Sequence, residues 1–294
     1  MYRRHFGLRE LPFSLTPDTA FFFAHRGAQA ALNTLLVALR SGEGFVKIVA
    51  EVGCGKTLLC RRLLASLAAD CETAYIPNPA LDSRTMLLAV CEELAIAIDA
   101  NESAHRVVKE LKRCLLAHAY AKRRVVLVID EAQSIPDETV EALRLMSNIE
   151  TEKQKLLQIV LFGQPELDVK LAQPHLRQLL QRISFADRIA PLRNAEVGTY
   201  VVHRLQVAGA MGAEQIFNNA AIAELSRRTD GTPRLINVLA HKAMMLAYGE
   251  GVRHIDARHV VLAAEDTPAV PLVLRSGMWL KRRLFAGSYH AGSP

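Results

Sequence analysis

A short stretch near residue 50 carries residue types suited to binding phosphate. The segment A-E-V-G-C-G-K-T (Ala50–Thr57) nearly matches the phosphate-binding loop G-x-x-x-x-G-K-[ST]. It departs from that pattern by an alanine at the first position and by Cys54 between the last two glycines. In such a loop Gly53 and Gly55 let backbone N–H groups turn toward phosphate at the positive end of a helix. The segment therefore predicts a nucleotide site.

The side chains that follow the glycines supply the rest of a phosphate and magnesium site. Lys56 is placed to reach the β- and γ-phosphates, and the Thr57 hydroxyl is a ligand for Mg²⁺. A methyl group at Ala50 is tolerated, because this position only closes the strand. The residues expected to surround the nucleotide are Glu51, Val52, Gly53, Cys54, Gly55, Lys56, Thr57 and Leu58. A second hypothesis is that the N–H groups favour the Cys54 thiolate, so that its oxidation blocks phosphate entry.

A second acidic motif lies some 70 residues downstream. In V-V-L-V-I-D-E-A-Q (Val125–Gln133) an apolar run ends in two carboxylates, which is typical of a buried strand that delivers acid to a crevice. Asp130 is expected to hold Mg²⁺ through water, and Glu131 to polarise the attacking water. The alternative is a strand that merely ends in acidic turn residues. The upstream loop favours the catalytic interpretation.

Further polar residues could complete the site. Gln164 follows another apolar run and can orient the lytic water, although it can equally be a turn residue before a proline. Arg177 and Arg182 lie in H-L-R-Q-L-L-Q-R-I, where Arg182 is the preferred arginine finger for a neighbouring subunit and a solvated basic helix face is the alternative. In D-G-T-P-R, Arg234 falls on the first turn of a helix, where it can contact phosphate from a lid.

The hydrophobic pattern indicates how these residues are positioned. Five short apolar runs alternate with helical patterns, which predicts an α/β domain with a parallel five-stranded sheet covered on both faces. The runs are Phe45–Val49, Thr73–Ile76, Val125–Ile129, Leu157–Phe162 and Ile183–Ile189. The helical patterns between these runs include Ser83–Ile98 and Gln173–Gln181. After Pro191 only helical patterns follow, at Asn194–Ala208, Asn218–Thr229, Pro233–Tyr248 and Asp256–Asp266. We therefore expect a nucleotide-binding domain over 1–191, a helical lid over 192–266 and a tail over 267–294.

Composition narrows the function classes. The five cysteines include no C-x-x-C pair, which argues against a disulfide framework or a zinc site. No apolar run is long enough for a membrane span or signal peptide, so a cytoplasmic protein is expected. The net charge is +6, but Arg275, Lys281, Arg282 and Arg283 supply +4 of it within the tail, which has no acidic residue. The near-neutral remainder does not favour a nucleic-acid-binding face.

Taken together, these motifs resemble the AAA+ ATPases, and the likeness covers roughly residues 1–266. The resemblance extends to the ExeA/GspA group of secretion ATPases through H-F-G-L-R-E-L-P-F-S-L-T-P-D-T-A-F-F-F (His5–Phe23), G-Q-P-E-L, L-R-Q-L-L-Q-R-I and Y-V-V-H-R-L. Within that group the opening and the short length most resemble the MshM type of MSHA pilus biogenesis protein. The departures, Ala50 for Gly and Cys54 for Thr, remove no phosphate ligand.

The resemblance implies more than the motifs do. In this group the N-terminal segment lies near the adenine, which would involve Phe6, Leu8, Pro12 and Phe13. It implies an ATPase that uses ATP and Mg²⁺, works as a homo-oligomer or ring, and acts on pilus or secretion assembly proteins at the cytoplasmic face of the inner membrane. Longer members carry a transmembrane helix and a periplasmic wall-binding region that are not seen here, so direct peptidoglycan binding is not expected.

Two other functions stay open at this stage. One is an ATP-dependent DNA-binding regulator of the transposition type, whose affinity would fall steeply with salt. The other is a nucleotide-sensing scaffold that does not hydrolyse ATP, against which Glu131 argues. The tail segment 272–285 combines four cations with apolar residues and could contact an anionic membrane or pack on the lid.

Overall fold

The computed structural model describes residues 2–67, 70–152 and 154–270, which form two compact units. One unit comprises residues 24–190, and the other combines the described part of 1–23 with residues 191–270. The basic tail segment predicted to contact a membrane, 272–285, lies outside the described residues. Within the described residues, no helix is both long and apolar enough to cross a membrane.

The first unit is built on a parallel sheet of five strands in the order β2-β3-β4-β1-β5. The strands are β1 (Phe45–Ala50), β2 (Cys71–Ile76), β3 (Arg124–Ile129), β4 (Leu157–Gly163) and β5 (Ile183–Ile189). The central strands β1 and β4 are buried throughout, and β3 is buried from its second residue, as expected where helices cover both faces. The edge strands β2 and β5 are only partly buried. The predicted five-stranded α/β fold is confirmed.

Helices connect the strands of this unit. They are α1 (Arg26–Arg40), α2 (Lys56–Leu67), α3 (Ser83–Glu93), α4 (Ala104–Tyr120), α5 (Asp137–Met146), α6 (Glu166–Leu171) and α7 (Arg177–Leu180). The sequence pattern predicted one helix over 83–98, but α3 ends earlier because Ala95 takes a left-handed conformation with φ of 53°. The helix predicted over 173–181 is observed as a 3₁₀ turn, Pro174–Leu176, followed by the short α7.

Because the strands are parallel, the candidate site residues that follow them lie at one edge of the sheet. The carboxyl ends of β1, β3 and β4 lie side by side, since Val49 pairs with Gly163 and Ile129 pairs with Leu161. The chain leaves these three ends at Glu51, Asp130 and Gln164. In open α/β sheets this is the edge at which ligands bind.

The second unit is helical. It contains α8 (Asn194–Val207), α9 (Asn219–Thr229), α10 (Pro233–Gly249) and α11 (Ala257–Glu265). These bounds agree with the predicted helices to within one residue. A close approach precedes α10: a side chain at Gly231 would meet the Leu192 carbonyl oxygen at 1.9 Å, and its φ is +70°, so only glycine fits there.

The N-terminal segment belongs to this helical unit, whereas the sequence analysis placed it in the 1–191 domain. Phe6, Phe13 and Phe21 are buried in the core that the helices form. The Arg204 guanidinium of α8 lies over the Phe21 ring at 4.4 Å and donates a 2.6 Å hydrogen bond to the Pro12 carbonyl oxygen. Three aromatic side chains and a buried arginine therefore attach the segment to the helices. This long-range packing was not visible in the sequence.

Candidate functional site

The loop between β1 and α2 has the geometry of a phosphate cradle. Gly53 and Gly55 take positive φ angles of 82° and 90°, which lets successive backbone N–H groups turn to one side. The turn is closed by a 3.2 Å hydrogen bond from the Cys54 N–H to the Glu51 carbonyl oxygen. Helix α2 begins directly after it, at Lys56. The loop therefore presents N–H donors at the positive end of a helix, as phosphate binding requires.

Lys56 lies against both carboxylates of the acidic motif. Its Nζ donates a 2.8 Å hydrogen bond to Glu131 Oε1 and lies 3.7 Å from Asp130 Oδ1. Only 8% of the lysine side chain is exposed. A buried cation with two carboxylates beside it and a phosphate-type loop around it fits the role of a ligand to triphosphate. Two motifs separated by about 70 residues in the sequence thus form one site.

Thr57 and Asp130 provide a donor set that fits Mg²⁺. The Thr57 hydroxyl donates to Asp130 Oδ2 at 3.1 Å, and Asp130 is only 3% exposed. Burial raises the pKa of the Asp130 carboxyl, although the Glu131 N–H and the Lys56 charge act in the opposite direction. Hydroxyl and carboxylate oxygens are the hard ligands that Mg²⁺ takes from proteins, and it usually keeps several waters besides.

Glu131 is held by three donors. Besides the bond from Lys56, its Oε2 accepts hydrogen bonds from Gln133 Nε2 at 2.6 Å and from Gln164 Nε2 at 2.9 Å. Burial acts to raise the pKa of this carboxyl, but the three hydrogen bonds outweigh it and the pKa is lowered. The residue has a φ of 50°, a left-handed conformation that is uncommon for glutamate and recurs at functional sites. Glu131 is therefore an oriented, ionised carboxylate, as a general base must be.

Gln133 is a site residue to which the sequence analysis gave no role. Its Nε2 holds Glu131, while its Oε1 accepts a 3.0 Å hydrogen bond from the Gln164 backbone N–H. The side chain thereby fixes the end of β3 against the end of β4. The predicted convergence of Gln164 on the site is observed, since its amide contacts Glu131. The sequence shows that Gln133 lies two residues after Glu131, but it does not show which way the turn between them directs the Gln133 side chain.

A charged network lies beneath the site. Lys47, in the middle of β1 and 8% exposed, contacts Asp168 Oδ1 of α6 at 2.5 Å. Arg188 of β5 donates to Asp168 Oδ2 at 3.0 Å. Helix α6 follows Gln164 directly, and β1 leads directly into the phosphate loop. The network therefore connects β1, which leads into the phosphate loop, with α6, which follows Gln164.

Arg182, the preferred finger candidate, lies at the opposite edge of the sheet. It directly precedes β5, whose first residue, Ile183, pairs with Phe45 at the start of β1. The length of β1 separates it from the phosphate loop by about 20 Å, more than an arginine side chain spans. Arg182 donates to Ser147 Oγ at 3.1 Å and also to Asn148 Oδ1. Arg182 therefore does not reach the loop of its own chain, and Arg177, the first residue of α7, stays the alternative candidate.

The remaining predicted site residues lie in the helical unit. Arg234 is exposed on the first turn of α10, as predicted. Phe6 is 7% exposed and packs edge-on against Tyr2 and His5, and Pro12 is buried. Their contacts with nucleotide stay predictions.

The hypothesis of a Cys54 thiolate is wrong. The side chain is 3% exposed, and burial, reinforced by the nearby Glu51 carboxylate, raises its pKa to about 11. The thiol therefore stays protonated at neutral pH. Glu51 and Val52 are exposed at the rim of the loop, while Leu58 is half-buried in α2.

Comparisons with known proteins agree with this geometry. Residues 39–171 match the AAA domain family. General secretion pathway protein A of Aeromonas hydrophila is 40% identical over 270 residues, which are 92% of this chain and 49% of that protein. The chain thus spans about half the length of this curated relative. The chain is therefore similar to the AAA domain family and to general secretion pathway protein A.

Solved structures show the same fold. The ORC2 protein of Aeropyrum pernix, solved in ADPNP–ADP complexes, has a TM-score of 0.66 at 19% identity over 88% of this chain and 71% of its own. Cdc6p of Pyrobaculum aerophilum has a TM-score of 0.66 at 16% identity, covering 85% and 70%. The RuvB Holliday junction branch migration motor of Thermotoga maritima has a TM-score of 0.55 at 16% identity, covering 83% and 70%. The chain has the P-loop AAA+ fold.

Proposed function

We propose that this AAA-domain protein binds ATP with Mg²⁺ and hydrolyses it to ADP and phosphate. The observation that carries the proposal is the convergence of Lys56, Thr57, Asp130 and Glu131 at the carboxyl edge of the sheet, within hydrogen-bonding or ion-pair distance of one another. Phosphoryl transfer needs little covalent chemistry from the protein, and depends on positioning and charge stabilisation. The four residues supply those two functions.

Each residue has a distinct task. The loop N–H groups and the Lys56 ammonium bind the phosphates, and Lys56 balances their negative charge. Glu131 accepts a hydrogen bond from the attacking water and takes up its proton, for which its lowered pKa keeps it ionised. Gln164 keeps the carboxylate and the water aligned. Thr57 and, through water, Asp130 would hold Mg²⁺, which would neutralise charge on the phosphate oxygens.

Hydrolysis should depend on assembly. Since Arg182 lies too far from the phosphate loop of its own chain, we infer that a finger arginine at this position acts on the nucleotide of a second copy. We infer a homo-oligomer or ring in which an arginine of the neighbouring subunit lies beside each nucleotide. Arg182 is preferred because its guanidinium is already held by Ser147. Arg234, Phe6 and Pro12 are proposed to contact the nucleotide from the helical unit.

The proposed destination is a secretion or pilus assembly. It is supported by the 40% identity to general secretion pathway protein A. We propose that the ATPase shifts or assembles proteins of an MSHA-type pilus or secretion system at the cytoplasmic face of the inner membrane. ATP hydrolysis at the site described above would supply the energy.

Two substitutions with matched controls test the activity. Lys56→Ala should lose ATP binding, whereas Lys112→Ala, at an exposed position on α4, should not. Glu131→Gln should bind ATP and accumulate the assembled form while turnover falls by at least about 100-fold, the usual loss on removing a general base. Glu92→Gln, exposed on α3, is its control.

The measurements are fluorescent-nucleotide binding, phosphate release and light-scattering mass, each at millimolar Mg²⁺. A folded parent protein that binds no adenine nucleotide would refute the proposal. Stimulation of turnover by duplex DNA, falling steeply with salt, would instead favour a DNA-binding regulator.

A further inference from the structure

The helical unit contains a cavity of about 570 Å³, and of its lining residues only Phe6 has a proposed role at the nucleotide. Its wall comes from the N-terminal turn, the segment after α8 and the segment before α11, all within this one unit. The lining residues are Arg4, His5, Phe6, Gly7, Met211, Gly212, Gln215, Ile216, Arg253 and His254. A volume of this size accommodates one or two side chains of a peptide or a small ligand.

The charged side chains that line the cavity are basic. Two arginines and two histidines contribute to the wall, and no acidic residue does. Within the described residues, Arg4 and Arg253 form no ion pair, and both are exposed. The neighbouring acids are already engaged, because Glu250 and Asp256 both pair with Arg258. Two guanidinium groups are therefore available to an anionic partner.

The floor of the cavity is apolar. Phe6 and Ile216 form part of it and are 7% exposed each, whereas Met211 at the rim is 96% exposed. His5 is fixed on the wall by a 2.8 Å bond from its Nε2 to the Val252 carbonyl oxygen, and its ring packs edge-on against the half-exposed Tyr248. An exposed methionine beside aromatic rings is an adaptable contact surface for apolar side chains. The cavity thus combines cationic residues at its rim with apolar residues on its floor.

We propose that this cavity binds a partner protein through a peptide segment in which an apolar side chain is flanked by Asp or Glu. The apolar side chain would occupy the floor, and the carboxylates would pair with Arg4 and Arg253. Duplex nucleic acid fits less well, because backbone binding uses a longer row of cations, and residues 1–266 carry only about +2 of the net charge of +6. The proposal goes beyond ATP hydrolysis and does not require it.

The test is selection from a random peptide library displayed on phage, against full-length protein without nucleotide. The expected outcome is enrichment of peptides that contain both an apolar residue and at least two acidic residues. Synthetic fluorescent copies should then bind the double variant Arg4→Glu/Arg253→Glu at least about 100-fold more weakly, taking about tenfold for each charge-assisted bond lost.

The control carries the same charge change elsewhere. Arg106→Glu/Arg113→Glu alters two exposed arginines of α4 and should bind the peptides as the parent does. Met211→Ser, which removes only the apolar rim, should weaken binding by a smaller factor, and circular dichroism checks that each variant is folded. Failure to enrich acidic peptides, or equal binding by the two double variants, overturns the proposal. Loss of single-stranded DNA binding in Arg4→Glu/Arg253→Glu without any peptide binding would overturn it in favour of nucleic acid.

Discussion

Replacing Gln133 with alanine should slow ATP hydrolysis without weakening ATP binding. The Gln133 amide donates to Glu131 Oε2 at 2.6 Å and accepts from the Gln164 N–H at 3.0 Å. Neither bond involves the phosphate loop. The substitution therefore removes one of three donors that orient the proposed base, while Lys56 and its loop are unchanged. We expect a lower kcat and a nearly constant KM for ATP.

The size of the effect follows from the lost bond. A hydrogen bond to a charged group contributes about 1.5–3 kcal/mol, and the Glu131 side chain is 40% exposed, so the lower end applies. About 1.4 kcal/mol corresponds to about a tenfold fall in rate. Steady-state phosphate release over a range of ATP concentrations separates kcat from KM. Gln173→Ala, at an exposed loop position before α7, is the matched control.

The same variant should change the pH profile. Glu131 acts as an ionised base, and its three donors hold its pKa below the usual value. Removing one donor raises that pKa, so activity should be lost at a higher pH on the acid side than in the parent. A Gln133→Ala protein with kcat within twofold of the parent and an unmoved acid limb would refute the positioning role.

Three other predictions follow from the geometry. Asp168→Ala should lower the free energy of unfolding in urea by about 2 kcal/mol, because it leaves Lys47 buried without its partner. The loss is smaller than the ~3–5 kcal/mol for a fully buried pair, since Asp168 is 36% exposed. Adding Lys47→Met should recover most of the lost stability. Cys54 should resist iodoacetamide near neutral pH, since its pKa is about 11; rapid labelling in mass spectra would contradict this. Arg182→Ala should bind ATP yet turn it over about 10³-fold more slowly; normal turnover there with slow turnover in Arg177→Ala would make Arg177 the finger, and normal turnover in both would exclude a finger from this segment.

Local patterns predicted the parts of the site that follow each other in the chain. The glycines before Lys56 and the apolar run before Asp130 each indicate their own strand or loop. Because parallel strands end at a common edge, the pattern also predicted that Lys56 and Asp130 would meet. Gln133 escaped prediction because its role depends on a turn with Glu131 in a left-handed conformation.

The hydrophobic pattern also did not predict which side chains outside the apolar faces are buried. A thiolate at Cys54 was one hypothesis, and the side chain is a buried thiol. Lys47 stood in an apolar run without a role, and it pairs with Asp168, 121 residues away. The segment 1–23 was placed with the sheet, and its aromatic side chains pack among the C-terminal helices. Each of these outcomes was set by residues distant in the chain.

By itself, the sequence determined the succession of strands and helices along the chain and the candidate phosphate and metal ligands, because backbone propensity and hydrophobic period act over a few neighbouring residues. Only the tertiary structure decided which donors hold Glu131, which face of the loop buries Cys54 and which unit takes up residues 1–23. The physical reason is that hydrogen-bond geometry, desolvation and packing depend on side chains brought together from distant parts of the chain.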